Sequence, residues 1–309
     1  MLLLIKYTLL YGIVLMLVAL GGMFSEHSGI INIALEGIMV IGGVAGVLTL
    51  TMLPAGLSPF LTVLISVLVA ALAGVVYSLL LAFASINLKA DQTIGGTALN
   101  LLATAVAVVI SKNFSDSGSA KLNYSNKPFL FSIGGLELSI FVPLGIVLLV
   151  ISYVVLYKTR FGLRLRACGE HPQAADSVGI NVYKMRYAGT TISGALAGMG
   201  GFVYALTTAN CASNGDVAGF GFLALAVMIF GNWKPVNIAV SSLLFGLFKC
   251  IAASYASIDI NGDGVYMLAE IGISAHLYRM LPYIVTLLVL AFTSKSSRAP
   301  KAEGIPYDK

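Results

Sequence analysis

Two polar side chains, Asn32 and Glu36, stand four residues apart in the otherwise apolar run 29–50. That spacing puts them on one face of a helix. A carboxylate at membrane depth costs a few kcal/mol to insert, so Glu36 needs a polar lumen or a partner. It either lines a pathway for a polar solute, or caps a half-helix and bonds neighbouring backbone. Asn100, with Gln92 and Thr93 a few residues before it, offers amide groups in a second apolar run. Those groups can hydrogen-bond a solute or a facing helix. Asn32, Glu36, Gln92 and Asn100 are therefore the candidate pathway residues.

No other grouping suggests catalysis. His27, His171 and His276 fall in three separate polar stretches. No Cys–His cluster has metal-ligand spacing, and no stretch has the GxxxxGK[ST] form that cradles nucleotide phosphates. Any nucleotide-driven work thus needs another subunit, and no cofactor is expected in this chain. Asp259, Asn261, Asp263, Gly264 and Glu270 fit the pattern of a calcium loop. Met267 is a poor ninth-position residue there, and the same residues also suit an ordinary turn; no metal site is assigned.

The elements that must position these residues are membrane spans. The 309 residues are 58% hydrophobic and 10% charged, against roughly 25% charge in soluble domains. Mean hydropathy is +0.95. This is the composition of an all-α integral membrane protein. The net charge of +5 does not indicate nucleic acid, because much of the basic excess lies in the loop 158–187 and the tail 295–309. Three cysteines form no disulfide framework. Residues 2–20 run on into further apolar sequence, so they read as a first span rather than a cleaved leader.

In order, apolar stretches at 2–20, 29–50, 60–86, 93–110, 138–157, 188–208, 217–230, 236–254 and 281–293 give about nine crossings of one transmembrane domain. Residues 21–28 read as a polar break, and 217–230 is short enough to be tilted, broken or re-entrant. Placing the basic loop and the basic tail in the cytoplasm puts the N-terminus outside and the acidic stretch 255–276 outside. Lys112, Lys121 and Lys127 in the outer region 111–137 run against that rule. The run Ile38–Gly42 (IMVIG) resembles Val227–Gly231 (VMIFG). With opposite directions through the membrane, the two would form an inverted repeat. Gly194, Gly198, Gly200 and Gly201 read as sites of close helix packing.

The basic loop contains a short helix signal. Pro172 suits a helix start and Gly179 a stop, so residues between them form a cytoplasmic helix with small side chains at Ala174 and Ala175. Such a helix suits docking into a groove on another protein.

Several stretches carry a family resemblance: 23–43 (MFSEHSGIINIALEGIMVIGG), 91–102 (DQTIGGTALNLL), 159–182 (TRFGLRLRACGEHPQAADSVGINV) and 193–206 (SGALAGMGGFVYAL). FGNWKP at 230–235 and LYRMLPYIVTLLVL at 277–290 extend it almost end to end. Together they resemble the permease subunits of ABC importers in the branch for ribose, nucleosides and branched-chain amino acids. The stretch 25–37 is most similar to the shorter permease of bacterial nucleoside importers. The resemblance implies a permease in the bacterial cytoplasmic (inner) membrane, paired with a second permease. It also implies a cytoplasmic ATPase that binds ATP–Mg, and an external substrate-binding lipoprotein. Glu170, Pro172, Ala174, Ala175, Gly179 and Ile180 would form the coupling segment toward that ATPase. A simple-sugar permease is the alternative within this class. Outside it stand an ion-driven secondary transporter, with Glu36 as proton carrier, and a membrane scaffold.

Overall fold

A computed structural model describes residues 2–54, 56–115, 118–124, 129–133, 136–209, 211–255, 274–293 and 298–308. The expected calcium-loop pattern at 259–270 lies outside the described residues. Eleven helices are described: α1 (Leu2–His27), α2 (Leu35–Met52), α3 (Pro59–Ile86), α4 (Gln92–Phe114), α5 (Phe141–Lys158), α6 (Arg160–Glu170), α7 (Pro172–Ser177), α8 (Val182–Thr207), α9 (Phe220–Phe230), α10 (Pro235–Ser254) and α11 (Ala275–Thr293). Among the described residues, α1 to α5 and α10 are long and apolar enough to cross a bilayer. The protein is a multi-pass membrane protein of nearly all-α structure.

Helix starts follow local chemistry. Ser58 caps α3 ahead of Pro59, and Asp91 accepts the Thr93 and Ile94 N–H groups at 2.8 and 2.9 Å. Thr159 caps α6, and Asn181 caps α8 through the Lys184 N–H. These side chains satisfy backbone donors that a helix start leaves unpaired.

The centre of the bundle is α8, packed against α1, α2 and α3. Its glycines make this possible. A Cβ on Gly201 would overlap the Met39 carbonyl, and one on Gly198 would come within 2.4 Å of the Ala70 carbonyl. Backbones therefore meet where side chains are missing, as expected for membrane helices.

The two faces of the bundle are distinguished by which loops touch. On one face, β1 (Leu122–Asn123) pairs antiparallel with β4 (Ala212–Ser213), Leu122 opposite Ser213. Nearby, β2 (Leu130–Ile133) and β3 (Leu136–Ser139) form a hairpin with Leu130 opposite Ser139. A cavity of about 210 Å³ on this face joins Lys6 and Tyr7 of α1 to Phe129, Leu206 and Cys211. On the other face, the tail crosses several loops. Arg298 N–H donates to Asn232 Oδ1, Ala302 N–H to the Gly169 carbonyl, and Gly304 N–H to the Gly29 carbonyl. Lys89 pairs with Asp308. The chain's first helix thus starts on the face opposite its tail.

Several boundaries differ from the sequence reading. The expected break at 21–28 is helical, because α1 continues to His27. Gly21 lies there against the Ser193 carbonyl, and the Glu26 carboxylate accepts the Trp233 indole N–H at 2.5 Å. The polar residues are satisfied by tertiary partners and need no loop. The basic loop holds two helices rather than one, since α6 precedes the expected α7, and α8 begins within it at Val182. The similar runs Ile38–Gly42 and Val227–Gly231 lie early in α2 and at the end of α9.

Candidate functional site

Between α1 and α2 the chain leaves helical geometry over residues 28–34. Gly29 adopts φ +93°, a region that favours glycine. Backbone groups stranded there need partners, since lipid supplies none. The four sequence-chosen residues come together around this segment. Gln92 Oε1 accepts the Ile31 N–H at 2.7 Å. Asn32, fully buried, donates to the Ser193 hydroxyl at 2.9 Å. Asn100 donates to the Ile33 carbonyl at 3.0 Å and accepts the Gly37 N–H at 2.7 Å. One side chain thus bridges the broken segment and the first turn of α2.

Glu36 reaches further. Its two oxygens accept the Gly219 and Gly221 N–H groups at 2.8 and 2.6 Å, at the start of α9. Gly219 is left-handed, φ +73°. A carboxylate here meets the orphan donors and positive end of a helix. Of the two readings of Glu36, the half-helix cap describes its contacts, and it does not point into lipid. In these contacts Glu36, Gln92 and Asn100 hold backbone in place, and Asn32 ties the broken segment to the Ser193 hydroxyl of α8; together they position that segment at the level where α2 and α9 begin.

Beside that junction stands a residue the sequence reading passed over. Lys249 lies within α10, with its ammonium 3.5 Å from the Ala218 carbonyl and 4.6 Å from the Phe220 ring centre. Phe220 in turn meets Tyr11 and Tyr204, with ring centres 6.0 and 5.0 Å away. A lysine inside an apolar run was signal enough to find it. Buried Arg186, which donates to the Ile305 carbonyl at 3.0 Å, was also missed. Its neighbour lies 119 positions along the chain, and no local pattern points to it.

On the tail face, α7 starts at Pro172 and stops before Gly179, φ +83°. Its two alanines part company. Ala174 is exposed, whereas Ala175 is 3% exposed and packs with Cys168, Val182 and Tyr307. The expectation that both alanines face a partner is corrected: Ala175 faces this chain's own core, because the tail folds back over it. Pro172 is buried and Ile180 half-buried, while Glu170, Gln173, Ser177 and Gly179 are exposed. Val178, 75% exposed, is a large apolar residue on this surface. Burial pushes the Cys168 thiol up to about 11.

This arrangement of broken helices, a central glycine-lined helix and a paired helical loop can be compared with known proteins. The family described as branched-chain amino acid transport system, permease component, matches residues 4–290. The chain belongs to this permease family. Among its relatives, the nucleoside ABC transporter permease protein NupC of Lactococcus lactis is 42% identical, over 97% of this chain and 95% of that protein. The guanosine ABC transporter permease protein NupQ of Bacillus subtilis is 40% identical, over 98% and 95%. A second L. lactis nucleoside permease protein, NupB, is 29% identical over 54% of this chain and 46% of its own length. No solved structure matches the chain. The permease family match takes in the broken segment, the Glu36–α9 junction and the α6–α7 loop alike, so the whole arrangement sits inside the shared region.

Proposed function

We propose that this permease is one membrane half of an ATP-driven importer for nucleosides. The observation that carries the reading is near-full-length identity of 42% and 40% to permeases named for nucleoside and guanosine transport. The partner is a second, different permease, a reading supported by L. lactis having two permease proteins so named, NupC and NupB. A cytoplasmic ATPase binds ATP–Mg, and an external lipoprotein delivers the solute. The membrane is the bacterial cytoplasmic membrane, crossed nine times with the N-terminus outside.

In this reading the solute passes beside the α2–α9 junction, and α2 and α9 are the inverted elements. Their starts meet at the Glu36 contacts, which is how discontinuous helices form a central site in other transporter folds. Asn32, Gln92 and Asn100 shape the wall by holding the broken segment. Coupling runs through α7 and its flanks: Glu170, Ala174, Gly179 and the exposed Val178 meet the ATPase, while Pro172, Ala175 and Ile180 hold the surface from beneath. Closure of the ATPase would push this loop, which is tied through Gly169 to the α1–α2 break by way of the tail.

The test is uptake of labelled guanosine by cells carrying the whole transporter, with ATPase co-purification. Import that requires the ATPase and is competed by nucleosides rather than ribose is the expected result. Uptake by the permease alone, driven by an ion gradient, would overturn it.

A further inference from the structure

Lys249 is a charge inside a membrane span. It lies 14 residues after Pro235, the start of α10, which puts it roughly 21 Å along the helix axis. A lysine so placed commonly bends its chain to a membrane surface. Here it turns instead to the start of α9. The ring centres of Phe220 and of Tyr283 in α11 lie 4.6 and 5.5 Å from the ammonium. Such cation–ring contacts are attractive, but they leave the N–H groups without acceptors. Among the described residues its acceptor is the Ala218 carbonyl at 3.5 Å.

Acids are close without pairing. Glu36 and Asp216 act on Lys249 through space, yet among the described residues neither lies within 4 Å of it as an ion pair. Both Glu36 oxygens are already occupied by Gly219 and Gly221. Among the described residues, the three donors on the ammonium thus have one long bond between them. Phe220 is buried, but Tyr283 is 45% exposed, Lys249 is half-buried, and Asp216 and Ala218 are exposed. Presenting spare donors to acyl chains is costly, so that open side suits a polar lumen.

We infer that Lys249 and Tyr283 form a solute-contact site inside the membrane, taking a neutral heteroaromatic ring that carries carbonyl or ring-nitrogen acceptors. The ring lies flat on the exposed face of Tyr283, and the ammonium donates to its acceptors. Asp216 at the rim accepts from ring N–H or sugar hydroxyl groups. Glu36 and Asp216 make the surroundings net acidic, which disfavours a phosphorylated solute and suits an uncharged one. This inference rests on the nucleoside reading and names where the permease touches the base.

The experiment is initial-rate uptake of tritiated guanosine by cells carrying the complete transporter, with Lys249→Met, Tyr283→Leu and Tyr283→Phe. The binding lipoprotein governs the half-saturating concentration, so loss of a contact inside the membrane is read in the maximal rate. Lys249→Met and Tyr283→Leu are expected to lower that rate at least tenfold at equal membrane level and equal ATPase co-purification. Tyr283→Phe, which keeps the ring, should lose less than Tyr283→Leu. Should Lys249→Met fail to assemble, photolabelling of the wild-type complex with 8-azidoguanosine decides, with label expected in 216–220, 245–254 or 277–287. Label confined to other segments, or wild-type rates in both loss variants, would overturn the site while leaving the nucleoside reading intact. A wild-type complex that imports ribose but no nucleoside would overturn the nucleoside reading, and the site with it.

Discussion

Glu36 Oε2 accepts the Gly221 N–H at 2.6 Å, a bond between residues 185 positions apart. With the Gly219 bond beside it, one carboxylate joins the first turn of α2 to the first turn of α9. Glu36→Leu would leave both part-buried N–H groups without their carboxylate acceptor. Each such orphan costs about 1–3 kcal/mol. The variant should lower the melting temperature of the purified permease and reduce uptake. Glu36→Gln retains one carbonyl acceptor and should lose less on both counts. Equal melting of the Leu, Gln and native proteins would show that this joint carries no stability.

The two alanines of α7 separate docking from folding. Ala174 is exposed, so Ala174→Trp should leave melting of the permease unchanged while weakening pull-down of the ATPase. Ala175 is buried against Cys168, Val182 and Tyr307. Ala175→Trp overfills that small core, at a cost of roughly 1–3 kcal/mol, and should destabilise the loop itself. A pull-down indifferent to Ala174→Trp and Val178→Asp would remove this surface from the coupling route.

The tail can be probed through Cys168. Its thiol is buried beneath Tyr307, and its raised pKa keeps the thiolate scarce at neutral pH. Maleimide labelling of the intact chain at Cys168 should be slow. Deleting residues 298–309 uncovers the thiol and should speed labelling severalfold. An unchanged rate would mean that the tail does not seal this core.

Glu303 gives the tail a pH dependence. Burial pushes its carboxyl up to about 7, and Glu26 of α1 lies close enough to repel it. A free tail would lose that proton in the ordinary carboxyl range. Between that range and about 7 the docked tail holds a proton the free tail has lost, so docking weakens as pH climbs through the window and levels off above it. Carboxypeptidase should trim the tail faster at pH 8 than at pH 5.5, after correction for the enzyme's own profile. Glu303→Gln should remove the difference.

Much of the candidate site was legible in sequence because a polar residue in an apolar run is conspicuous. Asn32, Glu36, Gln92 and Asn100 were found that way, and Lys249 carried the same signal. Pro172 and Gly179 marked the ends of α7 through their own backbone preferences. The glycines at 194, 198, 200 and 201 announced close packing, because nothing else explains so many in one apolar helix. Composition and the spacing of apolar runs settled that this is a helical membrane protein with a basic loop, and the second helix of that loop, α6, came to light only in the structure.

What each polar group holds was decided by tertiary structure alone. Asn32 meets Ser193, Glu36 meets Gly219 and Gly221, and Ala175 turns inward beneath Tyr307. Sequence spacing reports which residues share a face within one helix. It carries no record of which face of another helix, or which part of a distant tail, comes to rest there. The helicity of residues 21–27 shows the same division. Glu26 and His27 look like loop residues until Trp233, more than 200 positions away, supplies an N–H to one and a carbonyl to the other. A buried polar group costs free energy only while unpaired, and in this protein the pairing is made across the fold.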